Sequence, residues 1–146
     1  MVLRTFLIFA TSMVLAGCSR PDAEVHDPSD IQRQARITIP ASANNIHCAT
    51  DAVHRGPNVA TYGRFDIPKS DLPLILAGMP DEQKTKPYSG YSNVTSHKMK
   101  QPWWQPESLE RKQAADWSML GYSVNLLIGE NGGKDTFTVY FFNFSL

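Results

Sequence analysis

Two groups of residues in this chain carry chemistry beyond what folding needs. The first is His47-Cys48 with His54, an H-C-x₅-H arrangement. Imidazole and thiol are the ingredients of a nucleophilic pair and of a zinc site. Zinc requires three or four converging ligands, however, and adjacent strand residues point to opposite faces. His47 and Cys48 therefore cannot converge from one strand, and the expectation is a buried, unreactive Cys48. The second group is PWWQP, Pro102 to Pro106. Two adjacent tryptophans between prolines make a stiff aromatic segment. Either one indole enters the core while the other lies over a neighbouring surface, or both form an exposed platform for a partner. Trp103, Trp104, Tyr88 and Tyr91 are the candidate partner-binding residues, with Lys98 and Lys100 as a polar rim.

Other chemistries find less support. The chain has no G-x-S-x-G elbow and no Ser-Lys signature. Sugar hydrolysis needs two carboxylates facing each other across a cleft. Asp66, Asp71, Glu107, Glu110 and Asp116 are present, but nothing groups them. The expectation is a non-enzyme with no catalytic residues, no metal ligands and no cofactor.

A third reactive residue, Cys18, stands at a change of character. One positive charge, Arg4, precedes the largely apolar run from Thr5 to Leu15, and Ala16-Gly17 lead into the cysteine. This is the charged, apolar and small-residue order of a secretory signal. The run is shorter than the roughly 20 residues of a membrane-spanning helix. Leu15-Ala16-Gly17-Cys18 resembles the lipobox of bacterial lipoproteins. The resemblance implies cleavage before Cys18 and thioether attachment of diacylglycerol to it, with an acyl chain such as palmitate on the new amino group. Several chains on one residue provide stable anchoring, since each buried CH₂ contributes about 0.8 kcal/mol. Ser19 in the next position resembles the default sorting to the outer membrane, facing the periplasm. Cys48, the second of two cysteines, is then left without a partner in the chain.

Composition narrows the remaining choices. The 14 basic and 14 acidic residues balance, and no long basic run exists, so nucleic-acid binding is not expected. Removal of residues 1–17 leaves a length suited to one domain.

The elements that must position these residues follow from periodicity. Residues 18–34 are charged, contain Pro21 and Pro28 and lack apolar periodicity, which predicts a flexible tether before a single domain over 35–146. Arg36 to Pro40 and Ile46 to Thr50 alternate as short strands, with Ile46 and Cys48 on one face. Val59 to Ile67 is a third strand, with Phe65 and Ile67 opposite Arg64 and Asp66. From Lys69 to Met79, Leu72, Ile75, Leu76 and Met79 make one helical stripe. Ser70 is the expected cap, Pro73 falls in the first turn and Gly78 ends the helix. Ser108 to Leu120 reads as a second, imperfect helix. Tyr122 to Ile128 and Thr136 to Phe144 flank an Asn-Gly turn as a hairpin. The last strand carries aromatics on both faces, which suits the centre of the sheet. The predicted fold is α+β: an antiparallel sheet of about four or five strands, one or two helices packed on one face, and a C-terminal β-hairpin.

The segments Ile39 to Ala43, Arg64 to Leu72 and Pro102 to Pro106 are also similar to the body of a group of small bacterial lipoproteins, a likeness that implies no activity. The expected function is a lipid-anchored cell-envelope protein. Its membrane partner is reached through acyl chains on Cys18, and its domain binds an unknown envelope protein without catalysis, an immunity-type module being one form. The alternative is a small periplasmic enzyme or metal-handling protein using Cys48, His47 and His54.

Overall fold

The computed structural model describes residues 23–24, 28–51, 60–80, 86–87, 89–90, 92–133 and 135–145. Five long strands build the sheet: β2 (Asn44–Asp51), β3 (Ala60–Pro68), β5 (Glu110–Met119), β6 (Tyr122–Glu130) and β7 (Thr136–Ser145). Two-residue strands β1 (Ala23–Glu24) and β4 (Lys86–Pro87) pair at the two edges. All neighbours are antiparallel, in the order β1-β2-β3-β7-β6-β5-β4. The C-terminal strand β7 thus lies at the centre, as its two aromatic faces require. Phe141 enters one core cluster, and Tyr140 and Phe142 enter the other.

Helix α1 (Pro28–Ala35) and helix α2 (Leu72–Ala77) cover one face of the sheet through Ile31 and Ile75. All four residues of the expected stripe, Leu72, Ile75, Leu76 and Met79, pack in that layer. A 3₁₀ turn, Lys69–Asp71, leads into α2, and Asp71 rather than Ser70 takes the cap position. The opposite face is covered by the single-turn helix α3 (Asn93–Ser96), through Val94, and by the Trp103-Trp104 segment. The core is therefore two apolar layers separated by one sheet.

Three expectations need correction. Ser108 to Leu120 is not a helix: it is a 3₁₀ turn, Pro106–Ser108, followed by β5. Within β5, Ala115 and Trp117 point inward with the two-residue period of a strand. A bulge between Glu110 and Gln113, with Arg111 at φ 45, breaks that period. Arg36 to Pro40 is not a strand either. Ile37 and Ile39 do pack in the α1/α2 layer, but the Ile39 N–H donates to Gln32 Oε1 at 3.2 Å instead of to a ladder. Finally, the expected tether contains α1, whose Ile31 is fully buried. One large apolar residue in a polar octapeptide is too little periodicity to read, yet it anchors a helix to the sheet.

Candidate functional site

PWWQP is built into the fold by its backbone as much as by its rings. The Tyr140 hydroxyl, rising from the central strand, donates to the Trp103 carbonyl and accepts from the Gln105 N–H, both at 3.3 Å. Burial raises the pKa of Tyr140, so the phenol keeps the proton it donates. Trp104 N–H bonds the Gln101 carbonyl at 3.0 Å, and the Gln105 side chain bonds the Pro102 carbonyl at 3.0 Å. Pro106 is buried.

The two indoles have different roles. Trp104 is 7% exposed and stands edge-on to Tyr62 and Tyr140, with centroids 5.2 and 5.3 Å away. Its Nε1 donates to the His97 carbonyl at 3.0 Å, so both its apolar body and its polar tip are satisfied. It is a core residue and offers no platform. Trp103 is half-buried and lies nearly parallel over His47 (5.4 Å, 19°) and Tyr62 (5.6 Å, 29°). The division of one indole inside and one across the surface is the arrangement reached here.

Beside Trp103 lies a polar group that sequence reasoning did not assemble. Strand register puts His47 opposite Arg64, and Arg64 opposite Tyr140, in one row across the sheet. Asp66 pairs with Thr138 in the adjacent row on the same face. Arg64 Nη2 contacts both Asp66 oxygens, at 3.0 and 3.2 Å, and its guanidinium lies 5.6 Å from the Tyr140 ring centroid. Asp66 also accepts from Thr138 Oγ1 at 2.6 Å and from Asn45 Nδ2 at 2.9 Å. Burial opposes ionisation of Asp66, but these donors and the Arg64 charge outweigh it and hold the carboxyl below its ordinary range. Its lone pairs are committed, so it is poorly placed to act as a base.

Asn45 carries the chain of bonds outward. It sits at a bulge in β2 with φ 51, a conformation that asparagine tolerates better than most residues. Because its amide N–H donates to Asp66, its Oδ1 is the acceptor for His47 Nε2 at 3.0 Å. That bond requires a proton on Nε2. Arg64 Nε and Trp103 Nε1 are buried without an acceptor among the described residues. The surface is thus a fixed indole over a histidine, edged by a neutralised and hydrogen-bonded ion pair.

Cys48 points into the opposite layer, among the residues covered by α1 and α2, so His47 and Cys48 lie on different faces as expected of neighbours in a strand. It is 2% exposed, and burial pushes its pKa up to about 12. At neutral pH it is a protonated thiol and a weak nucleophile. Among the described residues no group of three or more His, Cys, Asp and Glu converges as a metal site. His97 stacks on Phe142 at 4.2 Å and holds the Asn93 carbonyl through Nδ1 at 2.7 Å. Cys18, Tyr88, Tyr91 and His54 lie outside the described residues. Of the expected site residues, the structure therefore brings together Trp103, Trp104 and His47, and it adds Asn45, Arg64, Asp66 and Tyr140. The only sequence signal for the additions was Arg64 and Asp66 sharing the face opposite Phe65 and Ile67. Comparison with protein-family models, with curated proteins and with solved structures finds no match to this chain.

Proposed function

We propose that the chain is a bacterial lipoprotein held at the periplasmic face of the outer membrane by acyl chains on Cys18, and that its domain is a non-catalytic module binding an envelope protein. The lipobox Leu15 to Cys18 supports the anchor. The observation that carries the binding role is Trp103: a half-buried indole laid flat over His47 and Tyr62, beside the Arg64–Asp66 pair. Interface hot spots are enriched in tryptophan, tyrosine and arginine, and rigid anchors lose little entropy on association. Tyr140 and the flanking prolines supply that rigidity.

A photo-crosslinking residue at the exposed Pro102, next to Trp103, tests this in intact cells. The expected result is one specific envelope protein captured by the wild-type surface and lost on Trp103→Ala, with the circular dichroism spectrum retained. Undiminished capture after Trp103→Ala, or no discrete product at all, overturns the binding role. Mass analysis of the mature N-terminus tests the anchor separately.

A further inference from the structure

The hairpin joining β5 to β6 has an unusual tip. Met119 pairs directly with Tyr122, leaving a two-residue turn of Leu120 at φ 50 and Gly121 at φ 79. Turns with both central residues at positive φ favour Asn-Gly, because a branched side chain is strained there. Here the strained position holds a leucine that is 82% exposed. Neither the turn nor the core benefits from it.

Its surroundings share a character. Tyr122, half-buried, begins the next strand, and the exposed Arg36 at the end of α1 lies over its ring at 5.0 Å. An aliphatic, an aromatic and a basic side chain thus gather at one end of the sheet. That is the composition of segments that rest at a membrane–water interface.

The topology says which end it is. Ala23 pairs with Thr50, Thr50 with Thr61, Thr61 with Asn143, Asn143 with Val124 and Val124 with Trp117. This row runs across the sheet close to the Leu120 turn. Because β1 runs antiparallel to β2, it starts at Ala23 on the same end and runs away from it. Cys18 lies five residues before Ala23, a span of at most about 17 Å when extended. Five strand spacings separate β1 from β5, about 24 Å at the usual spacing of roughly 4.8 Å. The first residue of β1 and the hairpin tip are therefore two separate points at one end of the sheet.

We infer that the Leu120 tip, with Tyr122 and Arg36, is a second membrane contact that seats the domain on the bilayer to which Cys18 is anchored. The inference rests on the lipid-anchor reading. Leu120 enters the acyl boundary, Tyr122 lies at headgroup level and Arg36 meets lipid phosphates. One acylated residue on its own leaves the domain free to swivel. A second contact fixes its tilt and holds the opposite end, with the β6–β7 turn, away from the lipid.

The test uses the full acylated protein reconstituted into vesicles of phosphatidylethanolamine and phosphatidylglycerol. A polarity-sensitive dye is placed at Leu120→Cys or, as the control at the far end, at Asn131→Cys; both positions are exposed. Cys48 is buried and stays unlabelled in the folded state. The expected result is a blue-shifted Leu120→Cys label, quenched several-fold more strongly by lipid-borne nitroxide than the label at Asn131→Cys. Equal quenching at the two positions, or stronger quenching at Asn131→Cys, overturns the inference. Mass analysis of the same samples separates the two ideas. Acylated Cys18 with a water-exposed Leu120→Cys label removes the tip contact and leaves the anchor standing. Unacylated Cys18 removes both.

Discussion

Trp103 and Trp104 are chemically identical neighbours with different energetic roles. Trp104 fills a fully apolar site with its N–H paired, so Trp104→Ala removes a large buried ring and is expected to cost about 3–5 kcal/mol in denaturant unfolding. Trp103→Ala removes a half-buried ring and costs clearly less, which makes it the usable probe of binding. Leu120 offers the opposite case. Leu120→Asn replaces a strained residue by one that tolerates left-handed backbone and is expected to stabilise the fold by about 1 kcal/mol, read as a higher Tm of the unlipidated domain. Asp66 ties pH to stability. Its folded pKa is lowered from the ordinary 3.8, so its contribution is complete above the unfolded value and is lost as pH falls through the folded value. Acid titration of the unfolding midpoint is therefore expected to steepen below pH 4 for the wild type and to flatten for Asp66→Asn.

At the level of elements, the sheet is held in register by close approaches as much as by ladders. Gly63 in β3 lies under the Phe141 ring, where an added Cβ would meet the His47 carbonyl at 2.3 Å and Phe141 Cζ at 2.6 Å. Gly63→Ala must displace both the β2 backbone and a core phenylalanine. A loss of roughly 1–3 kcal/mol is expected, measured as a lower denaturation midpoint. Strand β5 shows how tertiary pairing overrides a weak local pattern. Its bulge at Arg111 conceals the strand period, while Leu109, Gln113, Trp117 and Leu120 imitate a helical stripe. Pairing with β6 through a two-residue turn decides the outcome, because eight of the ten residues of β5 gain cross-strand partners there, whereas an isolated helix of about this length is marginal in water. Helix α1 makes the converse point: the fully buried Ile31 ties a short helix to the sheet that receives it.

The two layers of the molecule differ in chemistry as well as in packing. The α1/α2 side is mostly apolar, with Thr61 and Asn143 buried at one end of it, and contains Cys48. The other side mixes aromatic packing with the Arg64–Asp66–Asn45–His47 chain and presents Trp103. Cys48 is therefore expected to react with alkylating reagents only when the entire domain unfolds. Its labelling rate across denaturant concentrations should follow the global unfolding equilibrium rather than a local opening. Labelling in native buffer at the rate of a free thiol would contradict the packed α1/α2 layer.

The α+β class, the α2 stripe, the C-terminal hairpin and the central place of β7 were all legible in the sequence. Each depends on local periodicity or on a run of aromatics that has to be covered twice. The opposite orientations of His47 and Cys48 were legible for the same reason, since strand geometry alone dictates them. The polar chain from Arg64 to His47 was not. Its members come from β2, β3 and β7, and only cross-strand register brings them within hydrogen-bond distance. The fates of Trp103 and Trp104 were likewise open in the sequence, because two adjacent indoles carry no label for inside and outside. Tyr140, nearly forty positions away, decides between them by fixing the backbone on either side of Trp104.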